Sequence, residues 1–237
     1  MKVLLIIPAY NEEENILRVC NEIKEYDEEI DFVVINDGSK DNTLKILQEN
    51  NLNHVNLVQN LGIGGGVQTG YKYAFQNGYD IAIQFDGDGQ HDINYVKDIC
   101  KPIIEGKANL VIGTRYLDKT KSEFQSTFMR RLGSKIISST IKTLCKQRIT
   151  DPTSGFRAAD KSIIEEFAKE YPKDYPEPES TVCMIKKGYK VEEVPVNMKE
   201  RIAGKSFVSI WTSIDYMVKV VLAIIIDSVS IKKGKVK

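Results

Sequence analysis

Residues 81–92 read IAIQFDGDGQHD, and in this stretch an apolar run leads directly into a turn rich in acidic residues. Residues 81–85 are predicted to form a buried strand. The alternation of side chains along a strand then points Asp86 and Asp88 to the same side where the strand ends. Two carboxylates in one space repel each other unless a cation lies between them, and a hard divalent cation that also binds phosphate oxygens suits such a pair. The stretch therefore predicts a metal site, with further ligands or partners at Gln90, His91 and Asp92.

The same stretch has two other interpretations. Asp-Gly pairs are frequent in turns, so the segment can be an ordinary loop between a strand and a helix. An EF-hand loop would place its first three ligands at Asp86, Asp88 and Gln90. That pattern fails, because His91 occupies the position of the turn glycine and Lys97 that of the bidentate acid. The metal site and the plain turn both stay open at this point.

The composition is that of a neutral α/β protein, with either one large domain or two small ones. The 237 residues include 33 lysines plus arginines and 33 aspartates plus glutamates. This balance argues against a dedicated nucleic-acid-binding protein, which would carry a basic face. The cysteines are far apart and predict neither a zinc site nor a disulfide framework; they are Cys20, Cys100, Cys145 and Cys183.

Neither a signal peptide nor a membrane span is predicted. The apolar run at residues 3–7 is ended by Pro8 and is too short for the apolar region of a signal peptide. The run at residues 220–226 is about a third of the roughly 20 residues that a spanning helix needs. Together with the scattered cysteines, which favour a reducing cytoplasm, these absences predict a cytoplasmic location, either free or peripheral at the cytoplasmic face of the membrane.

The first third of the chain alternates predicted strands and helices. The strands are residues 2–7, 32–35 and 55–58, and helices follow at residues 12–23, 43–48 and 71–75. Asn11 is expected to cap the first helix, whose acidic start suits its positive end. The order β-α-β-α-β-α-β predicts a parallel sheet that binds its ligand beyond the carboxyl ends of the strands. Tyr10, Asp37 and Asp86 fall at those ends. A metal site at Asp86 and Asp88 is therefore favoured over a plain turn.

Residues 62–66, GIGGG, invite a dinucleotide-binding interpretation. The third glycine of that pattern, however, falls on Val67. We expect instead a loop that closes over a diphosphate, or a tight turn.

The second half of the chain continues with a predicted helix, strand, helix and strand at residues 95–104, 109–113, 132–144 and 191–196. Residues 119–131 lack a clear period and form either a lid or a surface loop. Residues 151–157, DPTSGFR, bring Asp151 and Arg157 into one turn-rich segment, which is either a salt-bridged turn or a functional loop.

Seven segments, taken in order, resemble one known family. They are PAYNEE (8–13), NDGSKD (36–41), NLG (60–62), DGDGQH (86–91), GTRY (113–116), DPTSGFR (151–157) and ERxxGKS (200–206). Each is weak alone. Together, over about residues 3–210, they resemble the inverting family 2 glycosyltransferases, in the dolichyl- or polyprenyl-phosphate mannosyl- or glucosyltransferase-like branch. The resemblance implies a GT-A (Rossmann-like) α/β fold, with a mostly parallel sheet flanked by helices.

The resemblance also implies roles for individual residues. The nucleotide base and ribose would contact Pro8, Tyr10, Glu12 and Asp37, with Asp86 and Gly87 beside the nucleotide. Mg²⁺ or Mn²⁺ would bind Asp86, Asp88 and Gln90. Phosphates would be approached by Arg115, Arg201 and Lys205. Asn36 stands where such enzymes often have an acid, so the identity of the nucleotide stays open.

The acceptor decides whether a general base is needed. A lipid phosphate is already ionised, whereas a sugar hydroxyl needs a carboxylate that takes its proton. The candidates for that carboxylate are Asp151, Glu177 and Glu179, of which the last two could equally cap a helix at residues 180–187. The predicted catalytic set is Asp86, Asp88, Asp151, Glu177 and Arg201.

The C-terminal part is predicted to be a loop at residues 198–207, an amphipathic helix at residues 210–226 and a basic tail at residues 231–237. The helix either packs against the domain or a second copy, or rests on an anionic membrane surface, where each lysine would add about 1 kcal/mol. The expected organisation is a domain at residues 1–209, with a nucleotide-sugar half (1–116) and an acceptor half (117–209), followed by the helix and tail (210–237).

The sequence thus predicts a metal-dependent inverting glycosyltransferase. It would move a hexose from a UDP-glucose- or GDP-mannose-type donor to polyprenyl phosphate or a lipid-linked glycan, in the synthesis of cell-surface polysaccharide or glycoconjugates. The alternative from another class is a catalytically silent subunit that binds the nucleotide sugar without turnover. A sugar nucleotidyltransferase is less favoured, because residues 8–14 are acidic where a basic glycine-rich loop would be needed.

Overall fold

One seven-stranded sheet runs through the computed structural model, which describes residues 1–27, 30–117, 128–199 and 210–231, with the backbone alone at residues 128–130 and 210–215. The strands are β1 (Val3–Ala9), β2 (Asp31–Asn36), β3 (His54–Asn56), β4 (Ile81–Gln84), β5 (Leu110–Thr114), β6 (Arg157–Asp160) and β7 (Val191–Pro195). They lie in the order β3-β2-β1-β4-β6-β5-β7. Neighbouring strands are parallel except that β6 is antiparallel to both β4 and β5. The predicted mostly parallel sheet is therefore confirmed.

Helices cover both faces of this sheet. They are α1 (Ile16–Tyr26), α2 (Thr43–Glu49), α3 (Gly62–Gln76), α4 (Val96–Ile104), α5 (Phe128–Cys145), α6 (Lys161–Lys169), α7 (Pro176–Lys187) and α8 (Ile210–Ser230), with a short 3₁₀ helix at Ile93–Tyr95. None of the helices in the described parts of the chain is long and apolar enough to span a membrane.

The side chains of β1 show how the sequence makes two cores. Leu4 and Ile6 are fully buried on one face, in a cluster with residues of α3 and α5–α8. Leu5 and Ile7 are fully buried on the other face, in a cluster with residues of α1, α2 and α4. A strand buried on both faces reads as a continuous apolar run, and each such side chain contributes about 1.5–3 kcal/mol through burial.

The glycine-rich segment is helical, so its prediction as a loop was wrong. Residues 62–66 form the first turns of α3. Helix α3 approaches β1 closely, and a Cβ on Gly70 would overlap the side chain of Ile6. Glycine is therefore required in this helix by packing, despite its poor helix propensity.

The first helix begins later than predicted, and Asn11 does not cap it. Asn11 has a positive φ of 57° and precedes α1 by several residues. Its backbone N–H donates to Ser39 Oγ (3.0 Å), and its Oδ1 accepts from the N–H of Lys40 (2.8 Å). These bonds join the loops that follow β1 and β2, at the edge of the sheet where ligands are expected.

Helix α8 packs against α5 and α7, which supports the packing alternative for one of its faces. Val220 and Ile224 are buried in the core, and the Tyr216 ring lies 5.2 Å from that of Tyr175 beside α7. The opposite face stays exposed, and its apolar side chains are Val218, Leu222, Ile225, Ile226 and Val229. We call these five residues the α8 stripe.

Candidate active site

A cavity of about 570 Å³ opens at the carboxyl ends of β1, β2 and β4 and beside the start of α3. Most residues with a predicted role line it: Pro8, Tyr10, Glu12, Asp37, Asp86, Gly87, Asp88 and Glu177. The predicted residues that do not line it, among those described, are Gln90, His91, Asp92, Arg115, Asp151 and Glu179. The position agrees with the rule that α/β sheets bind ligands beyond the carboxyl ends of their strands.

Asp37 forms one wall of the cavity and is held on two sides. Its N–H donates to the carbonyl of Ala9 (2.9 Å), and its Oδ1 accepts from the N–H of Leu61 (2.7 Å) at the start of α3. The residue is 4% exposed, whereas Tyr10 is 42% exposed. This wall combines a fixed hydrogen-bond acceptor with an aromatic ring, a pairing that suits a nucleobase or a ribose hydroxyl.

Glu12 is held by hydrogen bonds to residues at the starts of α1 and α2. Its N–H donates to Thr43 Oγ1 (2.9 Å) at the start of α2, and its Oε2 accepts from Asn15 Nδ2 (2.9 Å). The carboxylate therefore has a set position at the cavity wall.

Asp86 and Asp88 reach the cavity from a turn, because β4 already ends at Gln84. The prediction that both line the same space agrees with the structure, but the strand was expected to continue to residue 85 and to orient them. The orientation comes instead from local hydrogen bonds. The N–H of Gly89 donates to the carbonyl of Asp86 (3.4 Å), and that of Gln90 donates to Asp88 Oδ1 (3.0 Å).

His91 supports Asp86 from behind. The backbone N–H of Asp86 donates to His91 Nδ1 (3.0 Å), and His91 Nε2 lies 3.4 Å from Asp86 Oδ2. Since Nδ1 accepts, the neutral ring carries its hydrogen on Nε2, which faces the carboxylate. The ring is 2% exposed and stacks on Phe156 with centroids 4.8 Å apart. Sequence reasoning named His91 only as a further ligand or partner, and this geometry makes it a hydrogen-bond partner of Asp86.

The residues fit a divalent cation that shares its coordination with a substrate. Asp86 and Asp88 line one cavity, but the described residues contain no group of three or more His, Cys, Asp or Glu side chains arranged to hold a metal. Mg²⁺ commonly binds through one or two carboxylates plus substrate phosphates and water. Gln90 supports Asp88 through its backbone and accepts from the N–H of Lys199 (2.8 Å) through its carbonyl.

Asp151 pairs with Arg115 and not with Arg157, so of the two alternatives for residues 151–157 the salt-bridged turn does not apply. Arg115 Nε lies 2.7 Å from Asp151 Oδ2, and its Nη2 lies 2.8 Å from Oδ1. Asp151 is fully buried. Burial works against the charge of Arg115, but the bonds to Asp151 outweigh it and raise the pKa of the guanidinium. This bidentate pair occupies both oxygens of the predicted base.

Arg157 is fully buried and joins the 151–157 loop to α7. Its Nε donates to the carbonyl of Ser154 (2.7 Å), its Nη2 to that of Pro152 (2.9 Å) and its Nη1 to that of Glu177 (2.7 Å). Nη1 also lies 3.0 Å from the hydroxyl oxygens of Ser180 and Thr181. The guanidinium thus fixes the first turn of α7 against the cavity wall.

Helix α7 begins at Pro176 and not at residue 180 as predicted, so Glu177 and Glu179 both lie in its first turn. Their surroundings differ. Glu177 lines the cavity; burial raises its pKa, and the positive charge of Arg157 opposes that effect. Glu179 Oε1 accepts from the N–H of Tyr175 (3.0 Å), which caps the helix. Burial, with help from the charge of Asp227, raises the pKa of Glu179 to about 7.

Several lining residues were not assigned a role from the sequence: Ala9, Asn60, Gln84, Thr153 and Gly155. Gly62, Ile63 and Gly66 also line the cavity, and they belong to the segment for which a loop closing over a diphosphate, or a tight turn, was predicted. Gln84 had a usable signal, because it is a polar residue at the end of an otherwise apolar buried strand. Gly155 lies against the acidic turn, and a Cβ there would be 3.3 Å from the Asp86 carboxylate oxygens. Arg201, Lys205 and most of the predicted lid lie outside the described residues.

Comparisons with known proteins point to one family. Residues 4–168 match the family described as Glycosyl transferase family 2. A UDP-N-acetylglucosamine–dolichyl-phosphate N-acetylglucosaminyltransferase from Methanococcus voltae is 35% identical over 214 residues, which cover 82% of this chain and 84% of that protein. The polyprenol monophosphomannose synthase of Mycolicibacterium smegmatis is 27% identical over 221 residues, or 88% of this chain and 81% of that protein.

The fold also recurs among solved structures. Glucosyl-3-phosphoglycerate synthase from Mycobacterium tuberculosis, in complex with Mn²⁺ and UDP-glucose, superimposes with a TM-score of 0.71. The match covers 98% of this chain and 81% of that one at 16% sequence identity, so it shows a shared fold alone.

Proposed function

Because the chain belongs to glycosyl transferase family 2, we propose that it transfers a hexose from a nucleoside diphosphate sugar to polyprenyl phosphate, with inversion at the transferred carbon. The observation that carries this proposal is the shared cavity of Asp37, Asp86 and Asp88. Two relatives, a UDP-N-acetylglucosamine–dolichyl-phosphate N-acetylglucosaminyltransferase and a polyprenol monophosphomannose synthase, support the acceptor class by their names.

In this proposal the nucleotide contacts the wall formed by Pro8, Tyr10, Glu12 and Asp37, and the diphosphate lies at the acidic turn. Asp86 and Asp88 would hold Mg²⁺ or Mn²⁺, with Gln90 in support. The bound cation would neutralise the charge that develops on the leaving diphosphate. His91 orients Asp86, and the backbone N–H of Gln90 orients Asp88.

A phosphate acceptor agrees with the surroundings of two of the three predicted bases, Asp151 and Glu179. Both oxygens of Asp151 bind Arg115, and Glu179 caps α7, so neither is positioned to take a proton from an acceptor in the cavity. Polyprenyl phosphate is already ionised and needs only to be positioned for attack. Arg115, Arg201 and Lys205 would provide the positive charge near phosphates.

We assign donor binding mainly to residues 1–116 and acceptor binding to residues 117–209. Residues 210–237 would contact the membrane surface. The acceptor half also contributes Thr153, Gly155 and Glu177 to the donor cavity. Transfer would take place at the cytoplasmic face of a membrane, where the lipid acceptor is held.

The proposal is tested by turnover of UDP- and GDP-sugars with a short-chain polyprenyl phosphate, with Mg²⁺, Mn²⁺ or excess EDTA. We expect release of nucleoside diphosphate and formation of a glycosylated lipid, both dependent on metal and acceptor. Tight donor binding without turnover on lipid phosphates or lipid-linked glycans would establish the silent-subunit alternative. Transfer to a lipid-linked glycan alone would move the acceptor from a phosphate to a hydroxyl.

A further inference from the structure

Glu177 is a carboxylate on the donor cavity that the proposed reaction does not require. It lies on the same wall as Gln84 and Gly155, next to the acidic turn. The charge of Asp86 adds to the rise in the pKa of Glu177, which reflects their proximity. A carboxylate here would repel an incoming phosphate, whereas the hydroxyl groups of a sugar are natural donors to it.

Buried groups from β4 and β6 hold Glu177 in place. Arg157 is fully buried and donates to the Glu177 carbonyl (2.7 Å), and none of its described hydrogen-bond acceptors is a carboxylate. Because no carboxylate is hydrogen-bonded to Arg157 among the described residues, its positive charge acts on Glu177. The side-chain amide of Gln84 lies close enough to the Glu177 carboxylate to lower its pKa, against the larger effect of burial. Burial of a cation costs free energy unless its hydrogen bonds are satisfied. The hydrogen bonds of Arg157 are satisfied, and they form a rigid support for Glu177.

Gln84 provides an independent sign of a ligand. The residue is 1% exposed and lines the cavity, yet its Oε1 has no hydrogen-bond partner among the described residues. Buried polar atoms in proteins are nearly always paired, so this oxygen needs a donor from a ligand or a water molecule. Beside the Glu177 carboxylate it forms a pair of acceptors on one wall, which matches the donor pattern of neighbouring sugar hydroxyls.

We propose that Glu177 and Gln84 bind hydroxyl groups of the donor sugar and select among hexose epimers, with Arg157 as a positioning residue. This inference rests on the proposed function and deepens it. Glu177 is then a specificity determinant and not the general base. A hydrogen bond to a charged carboxylate is strong enough that its loss lowers the preference between epimers by about 10- to 100-fold.

The test measures binding without an acceptor. Calorimetry with Mn²⁺ compares UDP, UDP-glucose, UDP-galactose and UDP-N-acetylglucosamine, and GDP with GDP-mannose and GDP-glucose, on the wild type, Glu177→Ala, Glu177→Gln and Gln84→Met. We expect each Glu177 variant to bind the nucleoside diphosphates within about twofold of wild type and to lose the wild-type preference between epimers by about 10- to 100-fold. Glu179→Gln, on the same helix turn but outside the cavity, is the matched control and keeps the preference.

Two outcomes separate the inference from the function on which it rests. Variants that keep the epimer preference, but whose turnover falls and loses its acidic limb in a pH profile, would make Glu177 a base and overturn the inference alone. Failure of the wild type to bind any nucleoside diphosphate or nucleotide sugar would overturn the proposed function itself. Thermal melting of each variant confirms that it is folded.

Discussion

At the scale of single residues, Asp88 offers the sharpest test of metal dependence. It is 6% exposed, lines the cavity and accepts from the N–H of Gln90 through Oδ1. Asp88→Asn keeps that hydrogen bond but removes the negative charge. We expect turnover to fall by about 100- to 1,000-fold, as when an electrostatic group that stabilises developing charge is removed.

The measurement is initial rate as a function of Mn²⁺ concentration. In Asp88→Asn the concentration for half-maximal rate should rise, while the melting temperature stays near that of wild type. Asp98→Asn, an exposed residue on α4, is the matched control. Unchanged metal dependence in Asp88→Asn would remove this residue from the metal site.

Glu179 gives a prediction for stability against pH. Burial and Asp227 raise the pKa of Glu179 from 4.5 to about 7. A carboxyl group whose pKa is raised by folding binds more protons in the folded state, so its contribution to the free energy of unfolding falls as pH rises from 4.5 to about 7. The side chain is about half buried, and solvent screening reduces the effect to about 1–2 kcal/mol.

Urea unfolding of the wild type and Glu179→Gln at several pH values between 4.5 and 8 measures this contribution. The amide keeps an acceptor for the Tyr175 N–H but does not ionise. Glu179→Gln should therefore gain stability relative to wild type as pH rises to about 7, and the gain should be constant above that. A difference between the two proteins that is independent of pH would contradict the raised pKa.

At the scale of elements, Arg157 links β6, the preceding loop and α7. Its guanidinium donates to carbonyls on both sides, at Ser154 and at Glu177. Arg157→Met leaves these buried acceptors without donors, and Arg157→Lys cannot reproduce the planar geometry. We expect a loss of about 3–5 kcal/mol for Arg157→Met, because several buried oxygens each lose their donor at a cost of about 1–3 kcal/mol, and a smaller loss for Arg157→Lys.

Urea unfolding at neutral pH measures both variants. Arg148→Met, which changes an exposed arginine shortly after α5, is the control and should change stability by no more than about 0.5 kcal/mol. Equal stability of Arg157→Met and wild type would show that the hydrogen-bonded framework is dispensable.

The same elements show what the sequence predicts and what it does not. The paired acids could be assigned to the site because the carboxyl ends of parallel strands meet at one edge of a sheet. Strand β6 was not predicted, since RAAD has the composition of a turn or helix and is a strand only because β4 and β5 enclose it. The Arg115–Asp151 pair was also missed, because residues 36 apart meet only through the arrangement of these strands.

At the scale of the whole molecule, β6 is the element that makes the two proposed halves one body. It lies between β4 and β5, which come from the donor half, and it carries the chain back through the middle of the sheet. The loop before it and helix α7 then bring Thr153, Gly155 and Glu177 to the donor cavity. A change of acceptor half in evolution or design would therefore also change contacts to the donor sugar.

Helix α8 is attached to this body by one face, and the α8 stripe lies on the other. Val220 and Ile224 are buried, whereas Leu222 and Ile226 are 53% and 62% exposed. A stripe of this kind, followed by lysines at positions 232, 233, 235 and 237, fits an anionic membrane surface better than it fits water. We propose that it holds the enzyme at the membrane that contains the lipid acceptor; a homodimer through the same stripe is the competing occupant.

Substitutions on the α8 stripe test this membrane contact, because deletion of α8 would also remove buried core side chains. Leu222→Glu and Ile226→Glu should each lower the partition onto phosphatidylglycerol-containing vesicles by about tenfold or more, since they replace apolar burial with charge repulsion. Ser230→Glu adds the same charge outside the stripe and should have a smaller effect. Vesicle co-sedimentation measures the partition, and light scattering measures the mass in solution. Unchanged sedimentation together with a dimer that both stripe variants dissociate would assign the α8 stripe to a second copy of the chain.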